Sequence, residues 1–233
     1  MADASDSSSR SAFAHSPTGA SNCGAKRGAL IVLEGLDRSG KSSQVARLVE
    51  HLKSRDLGPV KAMRFPDRST TIGREIDAYL RETKEFEDRR IHELFAANRF
   101  EKKEEMEGLM GEGTTLVVDR YSFSGIAFSA AKGLDVHWCK STEVGLPAPD
   151  VVIYLDIDPQ HAAERGGYGG ERYEKVEFQQ RVAQHFHALK DDTWVVVDAS
   201  QPLDDVASEV CKVAESMVCK CKTGGLPLRY LWR

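Results

Sequence analysis

This sequence predicts a doubly wound α/β fold, in which helices cover both faces of a parallel sheet. Three observations predict it. Five short runs, Ala29–Glu34, Val60–Phe65, Thr115–Asp119, Val151–Asp156 and Trp194–Asp198, are rich in β-branched residues. Most are apolar at consecutive positions, the pattern of strands buried on both faces. Stretches with helical spacing separate them, and strand alternating with helix along the whole length defines the class. At 233 residues the chain is long enough for one sizeable domain and does not require two.

In chain order, residues 1–27 come first. They are rich in Ser and Ala and nearly free of large apolar side chains, so they cannot bury enough surface to offset their ordering entropy. A disordered tail is expected there, leaving residues 28–233 as a single domain. The tail lacks the apolar core of a signal peptide, and Asp3 and Asp6 depart from the acid-poor composition of a transit peptide. A cytoplasmic protein is the expectation, with nuclear or mitochondrial pools left open.

The first strand leads into Gly35-Leu36-Asp37-Arg38-Ser39-Gly40-Lys41-Ser42, which satisfies GxxxxGK[ST] at every fixed position and lies at a strand–helix junction. The chemistry accounts for each residue type. Gly35 and Gly40 let successive N–H groups face a β-phosphate, and a helix starting near Lys41 adds its positive end. Lys41 neutralises β/γ oxygens and the Ser42 hydroxyl ligates Mg²⁺. With Ser43, these residues form the expected ATP-binding set. Asp37 is unusual beside an anion. Arg38 is a second cation, able to stabilise charge on the transferring group; a surface Asp37–Arg38 ion pair is the bland alternative.

Val45, Leu48, Val49 and Leu52 then make an apolar helical stripe. The second strand ends in Phe65-Pro66-Asp67-Arg68 and the third in Asp119-Arg120-Tyr121. Strand ends are where ligands of such sheets bind, and planar guanidinium forks suit phosphate oxygens, so Arg68 and Arg120 are candidates for a second phosphate site. Between these strands Phe95 and Arg99 share one helix face; spacing alone reads Phe95 as core and Arg99 as solvent-facing. Three strands end in acids, Asp119, Asp156 and Asp198, any of which could support Mg²⁺. Asp119 is preferred for its neighbour Arg120, whereas Asp158-Pro159 reads as a helix start and Asp198 as a turn.

The segment from Arg165 to Tyr173 is Gly-rich, with Arg165 and Arg172 near its ends, and has the composition of a mobile lid or of an idle surface loop. Two more stripes follow: Phe178, Val182, Phe186 and Leu189, then Leu203, Val206, Val210, Val213 and Met217. The turn Ala199–Gln201 is the candidate for adenine contacts.

Composition excludes some functions. A net charge of −4 argues against a general nucleic-acid binder, and no apolar run is long enough to cross a bilayer. The five cysteines are scattered, with only the Cys219–Cys221 pair close together, and free thiols are expected. A GTPase switch would carry Asn-Lys-x-Asp, which is absent.

Taken together, these residues resemble the thymidylate kinase family, specifically its eukaryotic type. The likeness runs from about Arg27 to Trp232. It is carried by Arg27–Ser42, Arg64-Phe-Pro-Asp-Arg68, Leu94-Phe-Ala-Ala-Asn-Arg99, Asp119-Arg-Tyr-Ser-Phe-Ser-Gly125, Gly145-Leu-Pro-Ala-Pro-Asp150 and Glu171-Arg-Tyr-Glu174. The resemblance implies a nucleoside-monophosphate-kinase-like three-layer domain with a five-stranded parallel sheet. It implies transfer of the ATP γ-phosphoryl group to dTMP with Mg²⁺; a kinase for another nucleoside monophosphate or a deoxynucleoside is the alternative. It further implies that Arg68 and Arg120 grip the dTMP phosphate, with Phe65 and Gly125 in the same dTMP set. Phe95 would stack on thymine and Arg99 bond its edge, against the spacing-only reading. Asp37 would meet the 3′-hydroxyl or orient Arg120, and Phe128 would crowd the 2′ face. Tyr173 and Glu174 would close the lid, with Arg38 at the γ-phosphate. A homodimer is also implied. Phe100 departs from the family, where Trp often follows Asn-Arg.

Overall fold

The computed structural model describes residues 26–165 and 169–233. Nearly all of the tail predicted over 1–27, and residues 166–168 of the Gly-rich segment, lie outside the described residues. Five strands, β1 (Leu30–Gly35), β2 (Val60–Arg64), β3 (Thr115–Asp119), β4 (Val151–Asp156) and β5 (Trp194–Asp198), form one sheet in the order β2-β3-β1-β4-β5. Every pairing is parallel. The helices are α1 (Lys41–Ser54), α2 (Thr71–Leu80), α3 (Asp88–Phe100), α4 (Lys103–Gly111), α5 (Ser122–Ala130), α6 (Val136–Ser141), α7 (Pro159–Glu164), α8 (Val176–Leu189) and α9 (Leu203–Lys222). The predicted fold class is the observed one.

Alternation along the central strands builds the three layers. Ile31 and Leu33 of β1, with Val151, Ile153 and Leu155 of β4, face a core completed by α1 and α9. Leu30 and Val32, with Val152 and Tyr154, face a second core under α4, α5 and α8. Burial on both faces holds for β1, β3 and most of β4. It does not hold for β2 and β5, which are the sheet edges; Lys61, Ala62 and Arg64 are exposed on one and Val196 on the other. A smaller cluster of Ile76, Tyr79, Leu80, Ile91, Leu94 and Tyr173 joins α2 and α3 to the segment after the Gly-rich stretch.

The stripes predicted on α1 and α8 pack as expected, except that Phe178 is only partly buried. The α9 stripe is rotated. Leu203 is 47 % exposed, while the helix buries Val206, Val210, Cys211, Ala214, Val218 and Cys221. Small and sulfur side chains let this helix lie close to the sheet, and a count of large apolar residues overlooks them. Asp158 caps α7 ahead of Pro159, accepting from Gln160 N at 2.8 Å, and Asp198 accepts from Ser200 N at 2.9 Å in a turn, both as predicted. Among the described residues, no helix is long and apolar enough to cross a membrane.

Candidate active site

The loops leaving the carboxyl ends of β1, β2 and β3 open onto one cleft of about 1040 Å³. Open α/β sheets bind ligands at this edge. On one side lies the phosphate loop. Gly40 stands at the N-cap of α1 with φ 97°, a conformation that admits glycine readily, and no side chain caps the helix, so its first N–H groups stay directed at the loop. Ser39 is buried and Leu36 fully so, while Asp37, Arg38, Gly40, Lys41, Ser42 and Ser43 line the cleft. Lys41 Nζ donates to the Leu36 carbonyl at 2.5 Å and to Ser39 Oγ at 3.2 Å. Burial, helped by the nearby Arg120 charge and opposed by Asp119 and Asp37, lowers its pKa to about 7. An ammonium so poorly solvated has much to gain from an anion.

Asp37 and Arg38 do not pair with each other, so the bland surface ion pair is not formed. Asp37 accepts from Arg120 Nη2 through one oxygen and from Gln179 Nε2 at 2.6 Å through the other. Arg38 Nε donates to Glu174 at 3.0 Å. Arg38 and Arg120 both hold left-handed backbones, φ 62° and 66°. Such geometry costs a non-glycine residue about 1–2 kcal/mol, and no sequence pattern announces it.

Arg68 and Arg120 line the same cleft. Arg120 Nη1 donates to the Gly35 carbonyl and to Ser124 Oγ, each at 3.1 Å, which ties it to the phosphate loop. Ser124 Oγ in turn donates at 2.5 Å to Glu34, a fully buried carboxyl that also accepts from Tyr121 N and Ser124 N. Burial raises the Glu34 pKa, while Ser124 and Arg120 work against the rise. Arg68 Nη1 donates to Asp77 at 2.6 Å and its Nη2 to Glu171 at 2.7 Å, so one guanidinium bridges α2 and the Gly-rich segment. Phe65, buried beside Tyr121, lines the floor.

The spacing-only reading of Arg99 as solvent-facing is overturned, whereas Phe95 packs partly buried against the α2–α3 cluster. Arg99 is 2 % exposed and held by Glu143, with Nε donating at 2.8 Å and Nη2 bonding the second oxygen. Its Nη1 group has no acceptor among the described residues and remains available to the cleft, which Arg99 lines together with the buried Gly125 and the half-buried Phe95 and Phe128. Spacing could not foresee this because Glu143 comes from the turn just beyond α6, 44 residues away.

Ser42 Oγ donates to Asp119 Oδ2 at 2.6 Å. Burial pushes the Asp119 pKa up, but Lys41, Arg120 and Arg64 outweigh it and hold the carboxyl below its usual range. A hydroxyl and an ionised carboxylate beside a phosphate cradle fit Mg²⁺, which takes most of its remaining ligands from phosphate and water. Arg64 Nη2 lies 2.6 Å from Ser42 Oγ and 3.0 Å from Asp119 Oδ2.

In the Gly-rich segment, Arg165 donates to the Arg38 carbonyl at 3.0 Å and to the Ala199 carbonyl at 2.7 Å, joining the phosphate loop to the turn after β5. Tyr173 lines the cleft and its hydroxyl meets that of Tyr79 at 3.3 Å. Glu174 accepts from the Gly169 and Gly170 N–H groups at 2.8 Å each. Arg172 turns away: it lies over the Tyr79 ring and bonds Glu85 and the Tyr79 carbonyl, anchoring the segment on α2. Glu34, Arg64, Asp77, Glu143 and Gln179 were not singled out from sequence; all but Asp77, nine residues from Arg68, act through a neighbour remote in the chain.

A phosphate loop feeding a cleft with a second arginine cluster defines an ATP-dependent phosphotransferase of the nucleoside monophosphate kinase class. The family model described as Thymidylate kinase matches residues 33–210. The chain is 55% identical over 207 residues to a thymidylate kinase of Arabidopsis thaliana, covering 88% of this chain and 78% of the relative. It is 44% identical over 213 residues to that of Homo sapiens, covering 90% and 99%. The structure of thymidylate kinase from Candida albicans superposes with a TM-score of 0.79 at 34% identity, covering 88% of this chain and 99% of that one. The chain belongs to the thymidylate kinase family.

Proposed function

We propose that the cleft transfers the γ-phosphoryl group of ATP to dTMP, giving dTDP and ADP, with each end of the cleft holding one nucleotide. The observation that carries this is the pair of cationic clusters facing one cavity, Lys41 and Arg38 from the phosphate loop against Arg68 and Arg120 from the ends of β2 and β3. A phosphate acceptor is already anionic near neutral pH, so no strong general base is required. Catalysis rests on positioning and charge neutralisation.

Backbone N–H groups from Gly35 to Ser43 cradle the ATP phosphates, Lys41 neutralises the β and γ oxygens, and Arg38 stabilises the γ-phosphoryl. Arg68 and Arg120 grip the dTMP phosphate. Asp37 sets the fork of Arg120 and is placed to meet the 3′-hydroxyl. Phe95 stacks on thymine over the Phe65 floor, Arg99 bonds the base edge through Nη1, Gly125 leaves room for that guanidinium, and Phe128 crowds the 2′ face. Tyr173 and Glu174 close the lid, with Arg165 steering the segment toward the phosphate loop and Arg172 as its anchor; the turn 199–201 flanks adenine. Ser42 and Asp119 would hold Mg²⁺, which when bound neutralises charge on the β and γ oxygens. A homodimer accompanies this reading on family grounds.

A coupled ADP-release assay with dTMP, dUMP, UMP and thymidine as acceptors tests it. The highest kcat/KM is expected for dTMP; a preference for UMP or for thymidine would overturn the assignment.

A further inference from the structure

Helix α3 turns three side chains toward one region, His92, Phe95 and Arg99. His92 has no part in the reading above, yet it is 0% exposed. Its ring makes three hydrogen bonds: Nδ1 is 2.7 Å from Ser129 Oγ, and Nε2 is 2.9 Å from Thr142 Oγ1 and 3.2 Å from the Cys139 carbonyl. Ser129 lines the cleft beside Arg99 and Phe128.

A carbonyl only accepts, and Thr142 spends its one hydroxyl proton on the same Cys139 carbonyl at 2.9 Å. Thr142 therefore offers the ring a lone pair, and Nε2 must carry the hydrogen. Burial holds the imidazole pKa below its ordinary value and so favours the neutral ring; the Glu143 carboxylate favours the charged form, the Arg99 guanidinium opposes it, and the Cys139 and Gly125 carbonyls also favour charge, more weakly. A neutral ring protonated at Nε2 has a bare lone pair at Nδ1, so Ser129 donates its proton there.

We infer that His92 is a positioning residue for base recognition: by accepting the Ser129 proton it leaves only acceptor lone pairs of Ser129 facing the cleft, beside the Nη1 donors of Arg99. This deepens the base-pocket reading and rests on it. An acceptor next to donors matches a pyrimidine with N–H at N3 and a carbonyl at C4, as in thymine and uracil. Cytosine presents the reverse pattern, a bare N3 and an amino group. Sites built to bond a given hydrogen reject ligands that lack it, because buried polar groups are then left unpaired. The arrangement does not sense the 5-methyl group, so it excludes dCMP and not dUMP.

The first test is made on the wild-type protein. Two-bond ¹H–¹⁵N correlation on ¹⁵N-histidine-labelled protein, with His92 assigned by its loss in His92→Asn, should show the Nε2–H tautomer at neutral pH. A hydrogen at Nδ1, or an imidazolium, would overturn the inference. The second test compares His92→Asn, whose Oδ1 can still accept from Ser129, with His92→Leu, which cannot; both lose the Nε2 bond. Preference is taken as the dCMP inhibition constant over the dTMP KM. In His92→Leu it should fall about tenfold, the scale of one misdirected buried hydrogen bond. The asparagine variant should hold it within about threefold, and the ATP KM should stay level in both. Equal losses in the two variants, while Phe95→Ala and Ser129→Ala each raise the dTMP KM, overturn the His92 inference alone. An unchanged dTMP KM in Phe95→Ala and Ser129→Ala removes the base pocket and the inference with it.

Discussion

Gly125→Ala sets two effects of opposite sign against each other. Within a helix, alanine in place of glycine gains about 1 kcal/mol, and Gly125 lies in α5. The added Cβ, however, would lie 2.5 Å from Arg99 Nη2, 2.9 Å from Glu143 Oε1 and 3.1 Å from Arg99 Cζ. Neither neighbour can swing aside cheaply. Both are buried, at 2% and 0% exposure, and they hold each other through two hydrogen bonds. Outright rupture of a buried pair costs about 3–5 kcal/mol, so a smaller joint shift is the lower-energy response, at the ~1–3 kcal/mol typical of overpacking. Subtracting the helix gain leaves a net loss of about 0–2 kcal/mol, and the midpoint lies near 1. For a protein of this size that lowers Tm by about 2–4 °C. The functional effect should be larger, because a misplacement of about 1 Å at a positioning group can cost about 10²-fold. Steady-state ADP release should show a dTMP KM raised about 10–100-fold with the ATP KM within about twofold. A higher Tm with an unchanged dTMP KM would refute the reasoning, since it would mean that the Arg99–Glu143 pair neither crowds Gly125 nor governs the acceptor.

Lys41→Ala should lower kcat by about 10²-fold or more, as removal of a charge-stabilising donor does, and single-turnover phosphoryl transfer is the check. Arg68→Ala should weaken dTMP use while leaving ATP binding nearly intact; isothermal titration with each nucleotide separates the two, and equal losses would contradict the assignment. Lys41 also predicts a pH dependence. Its folded pKa, about 7, lies below the ordinary 10.5, so between those values the unfolded chain binds more protons and this group's contribution to stability rises with pH. ATP phosphates favour the charged form, so above pH ~7 ATP binding should take up about one proton, and affinity should fall as pH rises. Calorimetric titration in two buffers of different ionisation enthalpy at alkaline pH reads the uptake; equal heats would contradict it.

The strands and the phosphate loop were legible in the sequence because their signals are local. β-branched runs report burial on both faces, and the loop's glycines, Lys41 and Ser42 occupy fixed spacings. The edge character of β2 and β5 was not legible, because lateral position in a sheet leaves little trace in a run of five residues. Arg99 shows the same limit within the site. Four residues from Phe95, it reads as a solvent-facing cation until Glu143 is brought against it.

By itself the sequence determined the fold class, the strand–loop–helix that holds a triphosphate and the arginines at the strand ends. Each of these is encoded in residue type and short-range spacing. Only the tertiary structure decided what those groups point at: Asp37 sets Arg120, Arg68 spans Asp77 and Glu171, Arg172 leaves the cleft, and His92 orders the proton on Ser129. The physical reason is that a hydrogen bond is directional and short, so its partner is chosen by packing across tens of residues.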